Sequence, residues 1–338
     1  MSPARSLTGV RYAGDRGGHV ESYFLKANDL EGRRAIWLKA TVYASDREPS
    51  RAVAEAWAIA FDRDAGNVAV KTGVPYDAAR FSRVDLDAEI DGSTFTRSRW
   101  KGSVATGERE VAWDVAVSRA QEPLVHFPLR SMYDDPFPSS KLVSLVPDAR
   151  ADGEVRVNGE RWDVAGWPMT IGHNWGRRHA PRYAWAHCNV WEGGEGDGTV
   201  FEGFSARIAL GPVLSPASTF LFVRQLVGAS SGPARWLVRR AFLGVGGVEQ
   251  EMSLRRWKFR STRGKTRIEG ELWAETDDFV GLYYPNPDGT MTYCLNSKLA
   301  RAELLVKSPG RGERLYRSSA AALEIATTDP NHGVKMYV

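Results

Sequence analysis

From residue 183 to residue 191 the side chains alternate in a way that suggests chemistry. Tyr183, Trp185, His187, Asn189 and Trp191 occupy every second position, with Ala184, Ala186, Cys188 and Val190 between them. A strand turns successive side chains to opposite faces. One face therefore carries only small apolar groups, and the other carries three aromatic rings, an imidazole and an amide. Such a face suits the wall of a cavity that takes an apolar ligand and offers it a few polar contacts. Downstream, Glu202 interrupts an apolar face at period two made by Val200, Phe204, Ala206, Ile208 and Leu210. Desolvation raises the pKa of a carboxyl in such surroundings, which then keeps a proton that a solvated carboxylate has lost. The chemistry implied is acid-initiated addition or ring closure at an alkene. Glu202 would donate the proton, and His187 would relay it or orient a water. The ring faces would stabilise the developing cation.

His173 is the third candidate for proton transfer, from the Gly-bounded stretch Gly172-His173-Asn174-Trp175-Gly176. Trp175, Tyr183, Trp185, Asn189, Trp191 and Phe204 make up the expected substrate-binding set. Each has a structural alternative. Glu202 could be a buried carboxylate paired with Arg207 or Arg224, and His187 a core imidazole bonded to backbone. His173 and Trp175 could form a plug between domains. Glu55, in phase with Trp57, Ile59 and Phe61, reads as a buried carboxylate paired with an arginine. His173, His179 and His187 lack the close, repeated spacing of a zinc site, and His179 lies among Arg177, Arg178 and Arg182, so no metal is expected.

The elements that would hold these residues are almost all strands. Segments such as 35–43, 54–61, 83–90, 94–100 and 110–117 are short, alternating and rich in β-branched or aromatic residues. The second half repeats the style at 182–191, 199–210, 219–227, 252–259, 266–273, 291–295 and 301–306. Asn158-Gly159 and Asn286-Pro287-Asp288-Gly289 read as tight hairpin turns. Residues 46–60 have helix-like Ala and Glu content, yet their alternation is cleaner at period two. Many strands without intervening helices predict an all-β chain of two tandem antiparallel barrels. The boundary is expected in the Pro, Asp, Ala and Gly cluster of residues 147–154, giving domains 1–153 and 154–338, with residues 162–176 crossing between them.

Composition narrows the class. The chain has 338 residues, 43% of them hydrophobic, with 12 Trp and a formal charge of +4. The length exceeds a usual single core. Lys and Arg are scattered, and their densest clusters, 235–240 and 255–265, alternate with apolar residues, so no nucleic-acid partner is expected. Two cysteines, Cys188 and Cys294, are too few for a disulfide scaffold and read as buried free thiols. No Gly-rich phosphate loop or nucleophile elbow occurs, so no nucleotide cofactor is expected. The first residues lack the apolar core of a secretion signal, and no window approaches a membrane span. A cytoplasmic protein is expected, meeting membranes only at their surface if its ligand is a lipid.

At Gly172-His173-Asn174-Trp175-Gly176 and Trp185-Ala186-His187-Cys188-Asn189 the chain resembles the superfamily of tocopherol cyclases, carotenoid 1,2-hydratases and AttH-like proteins. Segments 22–27, 33–41 and Tyr293-Cys294-Leu295-Asn296-Ser297-Lys298 resemble it too. The resemblance implies two lipocalin-like barrels and acid-initiated hydration or cyclisation of long isoprenoids without a cofactor. His187 stands where the tocopherol cyclases carry Gln, so the implied fold transfers more safely than the implied reaction. The second reading is a carrier of hydrophobic ligands with no chemistry.

Overall fold

A computed structural model describes residues 6–14, 17–134, 136–193, 198–211, 213–226 and 234–338. Among them, two large curled antiparallel sheets account for nearly all regular structure. In the first sheet, strands His19–Asn28, Arg34–Ala44, Val53–Asp62 and Val68–Pro75 form a meander on one side. Glu160–Gly176 and Ser140–Val157 follow, and then the strands of residues 80–118. The second sheet repeats the plan. Arg182–Cys188, Val200–Arg207, Ser218–Leu226 and Ala234–Ala241 form the meander, and Gly312–Thr327 and Met291–Ser308 form the long hairpin beyond it. In both sheets the second arm of the long hairpin pairs with the first strand of the meander.

The long hairpins bend because their pairing slips. Register shifts occur between Ser144 and Val146, Val146 and Ala149, and Ala151 and Gly153, and again between Ser297 and Ala300 and between Ala300 and Ala302. Bulges of this kind sharpen twist and turn a flat sheet towards closure. Asn158 and Gly159 join the first hairpin with φ of 50° and 87°, both positive, as a two-residue type I′ turn needs. Gly289 closes the second expected turn at φ 87°, where Asn286 N–H donates to Thr290 O at 2.8 Å.

Two expectations about the domains change. Residues 154–176 hydrogen-bond within the first sheet, so the sheets divide in the link after Gly176 and not at 153/154. Residues 162–176 lie in the Glu160–Gly176 strand, wholly within the first sheet, and do not cross between domains. The Pro, Asp, Ala and Gly cluster marks bulges in a long strand. Over residues 46–60 period two wins, since Val53–Asp62 is a strand.

Each sheet wraps a packed interior. Leu25, Ile36, Leu38, Trp100, Trp113 and Met169 fill the first, and Phe201, Trp257, Phe259, Ile268, Leu304 and Leu323 fill the second. A third apolar cluster lies between the sheets, where Phe24, Trp37, Trp57 and Phe61 meet Trp185, Leu282, Tyr284 and Ala322. Alternation decides which residues go where. Ala184, Ala186 and Cys188 belong to the second interior, so Tyr183, Trp185 and His187 face the first sheet. The aromatic face is an interdomain face.

Candidate functional site

A cavity of about 140 Å³ lies in this seam. Phe24, Trp37 and Lys39 line it from the first sheet, and Tyr183, Trp185, Phe204, Tyr284 and Glu324 from the second. Of the residues expected from sequence to bind substrate, Tyr183, Trp185 and Phe204 therefore share one hollow. A smaller hollow of about 50 Å³ shares Ser22, Lys39, Asn174, His179 and Tyr284 with it. Another of about 80 Å³ shares Phe127, Ser140, Ala180, Phe204 and Ala206. The hollows form one slot, charged and hydroxyl-bearing at one end and phenylalanine-lined at the other.

Two lysines that the sequence reading passed over set up the polar end. Lys39 Nζ donates to Tyr284 Oη at 2.9 Å and lies 4.3 Å from the centre of that ring. Burial pushes its ammonium down to about 8, against the pull of Glu324. Lys298 is fully buried. Its Nζ donates to Glu324 Oε1 at 2.9 Å and to Asn296 Oδ1 at 2.6 Å, and it sits 3.7 Å from the centre of Trp37. Asn296 Nδ2 also donates to Glu324, at 3.2 Å. Tyr183 Oη lies 3.5 Å from Glu324 Oε2, and Cys294 Sγ lies 3.6 Å from it. Burial raises both tyrosine hydroxyls well above their usual range, so Tyr183 and Tyr284 stay protonated as donors. His179 stacks on Tyr284 with centroids 4.8 Å apart. Burial first, and then the charge of Lys39, brings its imidazole down to about 3.

Glu202 and His187 lie elsewhere on the same seam. They face each other across neighbouring strands, both fully buried, and neither lines the cavity. The Glu202 carboxylate accepts from Ser144 Oγ at 2.7 and 2.6 Å and from Trp185 Nε1 at 3.2 Å. His126 Nε2 stands 3.3 Å from it, out of line for a hydrogen bond. Burial alone would raise this carboxyl. His126, His187 and the Ser144 hydroxyl outweigh burial and bring it down to about 2. This reverses the expectation of a desolvated, protonated acid. Neither arginine alternative holds: among the described residues the ion-pair partner of Glu202 is His126, and Arg224 pairs with Asp148 at 2.6 Å. His187 Nε2 donates to Pro147 O at 2.9 Å, and its Nδ1 has no hydrogen-bond partner. Asn189 Nδ2 donates to Asp148 and to Met169 O, and Lys26 Nζ donates to Asn189 Oδ1. His187 and Asn189 thus share the face of Trp185 but fill a polar network beside the cavity.

The remaining expected residues separate further. His173 bonds Glu21 through Nε2 at 2.8 Å and Leu7 O through Nδ1 at 2.9 Å, and it stacks on Tyr23. Trp175 packs against Tyr133 with Arg11 over its ring and belongs to the first interior. Asn174, between them, turns the other way and reaches the cavity, where its Oδ1 is buried without a partner. Trp191 lies past the end of the strand at Cys188. There it donates to Thr199 O and packs in the second interior. Glu55 is ion-paired, but to Lys71 at 3.2 Å in place of the expected arginine, and it is part-buried instead of buried.

One signal could have found the missed carboxylate. Glu324 is a lone charge in Ala320-Ala321-Ala322-Leu323-Glu324-Ile325-Ala326, the pattern that singled out Glu202. Lys39 follows Trp37 on one face of its strand in the same way.

No family model matches the sequence. An uncharacterized protein of Mycobacterium tuberculosis strain ATCC 25618 / H37Rv is 24% identical over 301 residues, which span 87% of this chain and 82% of that protein. Its counterpart in strain CDC 1551 / Oshkosh gives the same figures. Among solved structures, an AttH candidate from Nitrosomonas europaea matches 97% of this chain and 100% of its own, at 13% identity and a TM-score of 0.54. The chain has the AttH-like fold. The resemblance carried by residues 172–176 and 185–189 is thus borne out in architecture. Looser likenesses extend to kievitone hydratase from Nectria haematococca, at 11% identity, 96% and 98% coverage and a TM-score of 0.47. CghA bound to Sch210972 stands at 10%, 96% of both chains and 0.47.

Proposed function

We propose that this AttH-like chain is an enzyme that needs no cofactor and hydrates, cyclises or isomerises a hydrophobic, isoprenoid- or polyene-like substrate by proton transfer. The observation that carries the reading is the meeting of Lys39 and Glu324 on one aromatic-walled cavity. An ammonium brought down to about 8 gives and takes a proton near neutrality, as general acid–base chemistry requires. It is too weak an acid to protonate an isolated alkene, and Glu202, held ionised beside the cavity, cannot serve. Lys39, with the Tyr284 hydroxyl, suits instead an alkene conjugated to a carbonyl or attached to a phenol. There the proton goes to, or the developing negative charge rests on, an oxygen. Glu324 would take the proton on the other side, with the Tyr183 hydroxyl giving its own proton to that carboxylate as it accepts the substrate's, and Trp37, Trp185 and Phe204 would hold the apolar body.

The test is conversion of isoprenoid enones and prenylated phenols by the purified protein, followed by liquid chromatography and mass spectrometry. Lys39→Met and Tyr284→Phe are expected to lower turnover at least 100-fold with the fold retained by circular dichroism. Unchanged product formation in both variants would remove the proposal. The carrier reading draws on a separate observation, the neutralisation of Glu324 by Lys298. It requires that a ligand extracted from the protein come back chemically unaltered after incubation.

A further inference from the structure

The phenylalanine-lined end of the slot opens between loops whose side chains a soluble surface has little reason to display. Phe137, Leu210, Val213, Leu214, Leu243 and Val245 are each between 43% and 78% exposed. Phe137 and Leu243 line the hollow themselves. The hairpin of Ala209–Leu210 and Val213–Leu214 springs from Ile208, which also lines it, and Ser215 N–H closes that hairpin onto Ile208 O at 2.9 Å. The 242–245 turn is tied to the same rim. Leu243 N–H donates to Ser218 Oγ at 3.0 Å, and Gly244 N–H to Ala217 O at 2.8 Å. Exposed apolar groups gathered from three loops around one opening mark an interaction site.

Charge says what kind. At the same end of the strands lie Arg177, whose N–H bonds Ser139 O at the hollow's edge, and Arg240, on the slot's face of its strand with Nε donating to His126 O. Arg182 and Arg207, paired across their strands, and Arg239 stand on the opposite face of the sheet, where Arg182 Nη2 donates to Met252 O. Among the described residues no carboxylate lies within ion-pair distance of these five. The one described acid in the rim segments, Asp134, is held by Arg11 and Arg130. We infer that this mouth seats on an anionic lipid surface, with the apolar tips among the acyl chains and the arginines at the headgroups. Apolar insertion and basic flanks are the two components of interfacial binding. The inference adds to the proposed function the source of the substrate, which would pass from the bilayer into the Phe204 and Phe220 end of the slot without crossing water.

Co-sedimentation of the 338-residue chain with vesicles of phosphatidylcholine, with and without about 30% of the anionic lipid phosphatidylglycerol to supply a negative surface potential, tests it. Binding is expected only with the anionic lipid, weakening as salt rises. The pair Leu210→Glu/Leu214→Glu should lose at least tenfold in affinity with an unchanged melting temperature, since both side chains are exposed and neither lines the hollow. Arg177→Glu/Arg207→Glu should flatten the salt dependence. Wild-type protein that ignores anionic vesicles overturns the inference, as does full binding by the Leu pair. So does a dimer in sedimentation velocity that the Leu pair dissolves, because a second copy would then own the surface. Turnover of a detergent-dispersed substrate should be the same in the Leu pair as in the wild type. Docking and catalysis therefore fail independently.

Discussion

Lys298 and Glu324 form an ion pair of 2.9 Å in which the lysine side chain is fully buried and the glutamate is 8% exposed. Removing one partner of such a pair strands the other charge out of water, whereas removing both leaves an apolar contact. Glu324→Leu is expected to cost about 3–5 kcal/mol in urea unfolding. The double change Lys298→Met/Glu324→Leu should recover most of that. A double variant that loses the sum of what Lys298→Met and Glu324→Leu lose singly would mean that the pair is not coupled.

Acid should unfold the protein in two overlapping stages. Burial and the charge of Lys26 hold His187 at about 4, below its usual 6.5. The unfolded chain therefore binds a proton there first, and stability drops as pH falls from about 6.5 towards 4. Glu202 sits at about 2 in the fold against 4.5, so its contribution is complete above 4.5 and is lost as pH falls towards 2. Each shift corresponds to about 3 kcal/mol. In denaturant melts across pH 2–7, His187→Gln should flatten the upper part of the decline and Glu202→Gln the lower. A wild-type profile without slope below pH 6.5 would contradict both.

Much of this architecture was legible because period two is a hard constraint. The split of residues 183–188 into a small apolar face and an aromatic face fixed which side of the strand meets the other domain. It could not say where along that face empty space ends. Tyr183 and Trp185 border the cavity, while His187 and Asn189 meet Pro147, Asp148 and Lys26, residues distant in sequence that the bulged hairpin brings over them. His173 and Trp175 were misjudged by one step of the same alternation, since Asn174 takes the interdomain side. The sign of the Glu202 shift was out of reach for a related reason. Desolvation can be read from apolar neighbours on one strand, but His126 and Ser144 come from segments that nothing in the local pattern connects to it.

Lys39 should titrate far from an ordinary lysine. Reductive methylation with a carbon-13 label, followed by NMR titration, is expected to show two ammoniums with midpoints near 8, those of Lys26 and Lys39, of which one vanishes in Lys39→Arg. If activity on a conjugated substrate is found, its rate should turn over near the same pH, and Lys39→Met should lose that limb. A resonance that titrates only near 10.5 would place Lys39 in solvent and remove its acid–base role.

Space in the slot can be tested without knowing the substrate. Ala206 lines both the central cavity and the phenylalanine-lined hollow. In Ala206→Phe the added ring has existing space to occupy, so the cost of overpacking should stay at the low end of the usual ~1–3 kcal/mol. Binding of an apolar fluorophore should weaken at least tenfold. Gly203→Ala is the contrasting change on the same strand. A Cβ there would stand 2.9 Å from Phe201 and 2.9 Å from Trp257, rings of the packed second interior, so it should lower the melting temperature and leave fluorophore affinity per folded molecule unaltered. If Ala206→Phe binds the fluorophore as well as the wild type does, the slot between the sheets is not where apolar ligands go.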